Sequence, residues 1–294
     1  MAVLLALVTC FAYAIDTYLI RQGLARTPQP MVATVVTLSV NFAFFVVLFL
    51  LFVPAHYVRL EKGYPFIIAG VLAPGAARAF SYRGIEKLGL SINTPIVNSE
   101  ILIAVAMAIL FLNEPMTLMI GIGVLSIIVG LVLLGLESGR GKESIVGKRI
   151  RYRYLLYPLI ASVFYGVSVF VRKLGLNVLG SPILGATFTS GTSWLILTAS
   201  LVAGGHVNQL SKVTRQSFIY FLLGGGATCV AWYSLFNALH IGKVSIVTPI
   251  ATSYSLVTLF FSYVLLRKVE RINRRIVAAT VLVVGGIILL SLAK

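Results

Sequence analysis

Ten apolar runs, each about 20 residues long, follow one another through this chain, at about 2–22, 31–53, 64–85, 92–112, 115–136, 154–173, 183–204, 216–239, 245–266 and 273–292. A helix of that length rises far enough to cross the hydrocarbon core of a bilayer. Inside lipid the backbone must satisfy its own hydrogen bonds, so runs of this kind can only be helices. The sequence therefore predicts an all-α polytopic membrane protein with ten transmembrane helices.

Charge agrees with that reading. Only 11% of residues are charged, against about 25% in soluble domains. The net charge of +16 would suggest a nucleic-acid partner in a soluble chain. Here the lysines and arginines sit in short connectors, where they meet anionic lipid headgroups. Cys10, Cys229, His56, His206 and His240 form no metal-ligand spacing, and neither metal nor cofactor is expected. Ala12-Tyr13-Ala14 looks like a leader-cleavage site, but no positive charge precedes it, so 2–22 is expected to stay in the fold.

The chain contains two copies of one unit. A shift of 152 places Tyr13 on Tyr165, Gly23 on Gly175 and Pro30 on Pro182. A shift of 154 places SINTPIVNSEIL (91–102) on SIVTPIATSYSL (245–256), and a shift of 156 places Glu114 on Glu270. The expected organisation is a first five-helix repeat over 1–136, a basic connector over 137–153 and a second five-helix repeat over 154–294. Five is odd, so the second copy enters the membrane from the opposite side, giving inverted repeats. Such repeats, with helices broken near the midplane, recur in secondary transporters. Breaks are expected at Pro74-Gly75, at Gly224-Gly225-Gly226, and at Pro95 and Pro249 in the first turns of the fourth and ninth spans.

The ten spans, the duplication and the SINTPI and SIVTPI segments resemble the drug/metabolite transporter superfamily, in particular its EamA-type exporters. Members carry a glutamate in the tight turn between the fourth and fifth spans, which LNEPMT (112–117) matches and RKVERIN (267–273) matches more loosely. The resemblance implies export of amino acids or other metabolites, or exchange of nucleotide sugars or sugar phosphates. It also implies cytoplasmic termini. The charge distribution points the other way. Of the 24 basic residues, seventeen lie in odd-numbered connectors, six (Arg172 and Lys173 among them) in even-numbered ones or at the C-terminus, and Arg78 lies in a span. The positive-inside rule then places the termini outside.

Three ionisable residues lie deep in spans: Asp16, Arg78 and Glu100. At mid-bilayer a charge costs about 2.5–3.5 kcal/mol, so such groups pair or face a cavity. Their repeat counterparts are Ser168 for Asp16, Tyr254 for Glu100 and the neighbourhood of Cys229 for Arg78, so the charges belong to one copy. A need of the scaffold would appear in both. Arg78 is either an ion-pair partner of Asp16 or Glu100 or the anchor of a substrate carboxylate or phosphate, which its planar fork suits. Glu100, with Asp16, is a candidate for proton coupling, because a carboxyl group in low dielectric loads a proton more readily.

Polar stripes accompany these charges at helical spacing. Tyr13 shares a face with Asp16, and Asn93 with Glu100. Tyr165 with Ser168, Tyr233 with Asn237 and His240 beside Trp232, and Thr248 with Thr252 and Ser255 make further stripes. Each either lines the site or joins helices. Glu114 and Glu270 are expected to complement the dipoles of the helices they precede. Gly121, Gly123, Gly130, Gly285 and Gly286 are expected at close helix contacts. The reading is a multi-pass transporter of the cytoplasmic membrane. It would move a small polar metabolite, an amino acid first, by alternating access, with an exchanger of phosphorylated metabolites or nucleotide sugars as the alternative. A membrane-embedded enzyme is disfavoured, since no HExxH, paired intramembrane aspartates or Ser/His couple is present. A scaffold would not explain charges confined to one copy.

Overall fold

A computed structural model of the chain describes residues 1–54, 63–88, 90–138, 152–265 and 274–293. Most of the basic connector and all of RKVERIN, with Glu270, lie outside the described residues. Among those described there is no strand. The helices are α1 (Ala2–Arg26), α2 (Pro30–Phe52), α3 (Tyr64–Gly70), α4 (Ala77–Leu88), α5 (Leu90–Val97), α6 (Glu100–Leu112), α7 (Leu118–Ser138), α8 (Leu156–Leu179), α9 (Pro182–Ala203), α10 (Arg215–Ile241), α11 (Val244–Thr252), α12 (Tyr254–Leu265) and α13 (Arg274–Leu292). Five of the described helical stretches are long and apolar enough to cross a membrane, and shorter apolar helices accompany them. Leu50, Leu110 and Leu118 are each at least 70% exposed. Bare side chains of this size in such number suit lipid rather than water.

The repeat is visible in how helices begin. Pro30 opens α2 and Pro182 opens α9, where a missing N–H costs nothing and the fixed φ is already helical. The Ser181 hydroxyl accepts the Leu184 N–H at 3.4 Å as an N-cap. α8 runs beyond the expected end of its span at 173 and stops at Leu179, because Gly180 adopts φ +64° and closes the helix in the left-handed conformation.

Internal contacts divide the chain into two units, each drawing on both sequence halves: Met1–Val71 with Val171–Ile241, and Leu72–Phe170 with Gly242–Lys294. In the first unit α1 lies along α10, and α2 packs against α9 and α10. Val32, Ala33, Val36, Leu201 and Phe221 form its apolar centre. The three glycines at 224–226 do not break α10, which is continuous through them. Instead they admit neighbours. A Cβ at Gly224 would stand 3.0 Å from Asp16 Oδ1 and Ile20, and one at Gly225 would stand 2.7 Å from Val40 of α2, while Gly226 meets nothing. Helix–helix contact in lipid, where small residues let backbones approach, outweighs the weak helix propensity of glycine.

The expected break at Pro74-Gly75 is present: Ala73 leaves the helical region at φ −148°, ψ 132°. Pro74 has no N–H to give the Gly70 carbonyl. Ser193 of α9 donates to that carbonyl at 2.9 Å, and Thr189 donates to the Phe66 carbonyl at 3.2 Å. A side chain has taken over the bond that the proline withdrew.

In the second unit α7 packs on α13 at two glycine contacts. A Cβ at Gly286 would lie 2.7 Å from the Gly123 carbonyl oxygen, and one at Gly130 would lie 2.5 Å from Val283. Ser126 Oγ donates to the Leu282 carbonyl across the same contact. Gly285, expected at a close contact, has nothing within 4 Å. The fourth span of each copy is broken, but later than its proline: after Val97 and after Thr252. At both places a serine folds back on its own helix. Ser99 Oγ donates to the Ile96 carbonyl at 2.6 Å and Ser253 Oγ to the Pro249 carbonyl at 2.8 Å. The backbone tightens with them, through Ser99 N–H to Ile96 O and Ser253 N–H to Ile250 O. Shifted by 154, the two serines are the same position of the repeat.

Candidate substrate site

The break in the fourth span makes Glu100 the first residue of a half-helix, α6. A carboxylate there complements the positive end of the helix dipole. Arg78 stands in the opening turn of α4, just beyond the Pro74 break. A cation at a helix start adds to the dipole instead of offsetting it, so this position gains stability from an anion nearby. The two meet around Tyr165 of α8. Its side chain hydrogen-bonds with Arg78 and lies within electrostatic reach of the Glu100 carboxyl group and the Tyr82 hydroxyl. Gly166 makes this approach feasible, since a Cβ there would stand 2.8 Å from the Glu100 carbonyl oxygen and 2.7 Å from Ile103. Phe80 on α4 packs edge-on against Phe164 at 5.7 Å between ring centroids, fixing α4 against α8 beside this group.

Other expected site residues of the second unit are held more firmly by structure. Ser168 is wholly buried and donates to the carbonyl of Ala73, at the helix break, at 3.3 Å. Asn93 is buried; its Nδ2 donates to Ser81 Oγ at 3.3 Å, and its Oδ1 faces Gly84 with no hydrogen-bond partner among the described residues. Thr252 Oγ1 turns back to the Thr248 carbonyl at 2.9 Å. The Thr248 hydroxyl is buried and without a hydrogen-bond partner among the described residues.

Glu114 does something other than the sequence suggested. It caps α11 of the second copy instead of the helix it precedes. Its Oε1 accepts the Val244 N–H at 2.7 Å, and its Oε2 accepts the Ser245 N–H at 3.0 Å and the Ser245 hydroxyl at 2.7 Å. Lys243, at the N-cap position of α11, has only donors in its side chain and cannot cap. The acceptor had to come from elsewhere in the chain.

In the first unit Asp16 lies on α1 against Gly224 of α10. Tyr13, one turn earlier, lends its carbonyl to Thr17 Oγ1 at 2.7 Å. On α10, Tyr233 is exposed and Asn237 donates to the Tyr233 carbonyl at 2.7 Å. Trp232 is buried, and its partner was not foreseen. Arg172, read from sequence as a connector charge, is 6% exposed on α8, with its guanidinium 5.1 Å from the Trp232 ring centre and 5.7 Å from that of Phe236. The delocalised guanidinium is suited to such stacking. Beside it Lys173 donates to the Leu239 carbonyl at 2.6 Å, near the C-terminus of α10. The Gly180-Ser181-Pro182 stop signal, beginning eight residues after Arg172, would have kept it inside the helix. Asn41 of α2, wholly buried, was also missed; a lone amide in the middle of an apolar run was its signal.

Apolar helices with bare lipid-facing side chains, broken at matched positions around buried polar groups, define a polytopic membrane transporter. The chain belongs to the EamA-like transporter family, whose model matches residues 1–136 and 153–292. It is a membrane transporter of the drug/metabolite type. A solved structure, described only as the crystal structure of a protein, is similar to it at 17% identity with a TM-score of 0.75, over 99% of this chain and 96% of the other. At that identity the likeness speaks for the fold. No curated protein matches the sequence.

Proposed function

We propose that the chain carries a small polar metabolite, an amino acid in the first instance, by alternating access in the cytoplasmic membrane. Ten spans would form two inverted five-helix repeats, 1–136 and 154–294, joined by the basic connector 137–153. The observation that carries the reading is the meeting of Arg78, Tyr165 and Glu100 at broken helices in one unit. Arg78 would take the substrate carboxylate, with Tyr165 holding the guanidinium in place. Glu100 would take the amine or a coupling proton. Asn93, Ser168, Thr248 and Thr252 belong to the same unit and would shape its polar lining. Tyr13, Trp232, Tyr233 and Asn237, expected from the sequence to bind substrate as well, belong to the first unit. Export as the direction rests on the resemblance to exporters, and the basic connectors would lie on the cytoplasmic side.

A second reading, an exchanger of phosphorylated metabolites or nucleotide sugars, gains from one observation. Arg172 is a second buried cation, and a phosphate needs more than one. Thermal stabilisation of the purified protein by amino acids, sugar phosphates and nucleotide sugars separates the readings, with Arg78→Gln run beside the wild type. Stabilisation by amino acids that Arg78→Gln loses is the expected result. Stabilisation by phosphorylated ligands alone selects the second reading. A full amino-acid response in Arg78→Gln refutes the anchor role.

A further inference from the structure

The first unit contains a buried polar group that the anion-anchoring residues of the second do not use. Asp16 of α1, Asn41 of α2 and Cys229 of α10 lie together. The Cys229 thiol is beside the Asn41 amide and within reach of the Asp16 charge, and its Sγ points to the Val40 carbonyl at 3.8 Å. Thr228 precedes Cys229 and stands one helical turn after Gly224, where an added Cβ would lie 3.0 Å from Asp16 Oδ1.

The neighbouring hydroxyls of α1 and α2 are all spent on their own helices. Thr9 donates to Leu5 O, Thr17 to Tyr13 O and Thr37 to Ala33 O. Asn41 and Thr228 differ. Asn41 is 0% exposed, with neither Nδ2 nor Oδ1 in a hydrogen bond of ordinary geometry among the described residues. Thr228 is 5% exposed, and its Oγ1 has none either. A buried amide and a buried hydroxyl left over beside a carboxylate are costly unless something holds them.

We propose that Asp16, Asn41 and Thr228 bind a sodium ion. The carboxylate, the amide carbonyl and the hydroxyl are hard oxygen donors of the kind that hold alkali and alkaline-earth cations. A single carboxylate among neutral oxygens favours one positive charge, because a divalent ion would leave a net charge in low dielectric. A proton needs only the carboxylate and leaves the amide and the hydroxyl unexplained. The site is a claim about binding and stands apart from the proposed substrate. Only its use as the coupling ion rests on the transport reading.

The test is thermal unfolding of the purified full chain, without substrate, in NaCl, KCl or choline chloride at constant ionic strength. The expected result is a saturable rise in midpoint, about 2–5 °C at ten times the dissociation constant, with Na⁺ and not with choline or K⁺. Asp16→Asn should abolish it. Asn41→Leu and Thr228→Val should each shift the Na⁺ dependence upward about tenfold or more, which keeps the test alive if Asp16→Asn fails to fold. Equal midpoints in all three salts overturn the proposal, as does a Na⁺ response retained in the Asn41 and Thr228 variants. A midpoint that depends on Asp16 and on pH but ignores Na⁺ overturns it in favour of a proton site.

Discussion

Replacing Glu114 by alanine removes the acceptor of three hydrogen bonds at the start of α11. An α-helix begins with four N–H groups that have no partner inside it. In α11 the Lys243 carbonyl receives the N–H groups of Ile246 and Val247, at 3.2 and 3.0 Å, and Glu114 receives those of Val244 and Ser245. Val244 and Ser245 are at most 1% exposed, so the substitution leaves two buried donors with nothing to replace the carboxylate. Each orphaned donor costs about 1–3 kcal/mol, and a helix start loses about 0.3–2 kcal/mol with its counter-charge. These contributions overlap, and a loss of about 3–5 kcal/mol is expected for Glu114→Ala. Glu114→Gln should fall between it and the wild type. Ser245→Ala, which removes one bond and orphans nothing, should cost about 1 kcal/mol. Equilibrium unfolding by SDS in mixed micelles reads all of these. In a double-mutant cycle Ser245→Ala should cost less once Glu114 is gone. A Glu114→Ala protein within about 0.5 kcal/mol of the wild type would refute the capping argument.

The glycines divide into those that a methyl group would obstruct and those it would not. Gly286→Ala drives a Cβ to 2.7 Å from the fixed Gly123 carbonyl oxygen and should destabilise by about 1–3 kcal/mol. Gly226→Ala meets nothing within 4 Å and should be neutral or stabilising by up to about 1 kcal/mol; the same unfolding titration should separate the pair, and equal effects would sink the contact argument. Arg172→Lys keeps the charge but loses the flat face that lies over Trp232 and Phe236. A loss of about 1–3 kcal/mol and a changed tryptophan emission are expected, and no change in either would mean that the stacking contributes nothing.

Much of this was legible in the sequence because lipid leaves few alternatives. Runs of about 20 apolar residues become helices with little competition from other backbone conformations, and the break expected at Pro74 is there. The errors have a common source. Gly224-Gly225-Gly226 reads as a break when only the propensity of one helix is weighed, but α1 and α2 need that absence of side chains to come close. Pro95 and Pro249 mark the broken spans without locating the breaks. The serine four residues after each proline does that by taking a carbonyl from its own helix. Glu114 was read against the helix that follows it because proximity in sequence was the only proximity visible. Its real partner lies 130 residues away.

Comparing the two copies residue by residue separates scaffold from chemistry. Ser99 and Ser253 occupy one position of the repeat and each turns its hydroxyl back on its own helix, to the carbonyl three residues back at Ser99 and four back at Ser253, so the break in the fourth span is a property of the scaffold. Immediately after it the copies diverge: Glu100 opens α6 and Tyr254 opens α12. The same split recurs where Asp16 corresponds to Ser168, which closes a backbone carbonyl at the Pro74 break. Duplication supplied the fourth-span break twice, while the Pro74 break has no counterpart in the continuous α10, and each break exposes backbone that lipid alone cannot satisfy. One copy placed ionisable groups there and the other placed neutral hydrogen-bonding ones. Asp16, Arg78 and Glu100 thus belong to the first copy, whereas the buried cation of the second, Arg172, is taken up by the rings of Trp232 and Phe236.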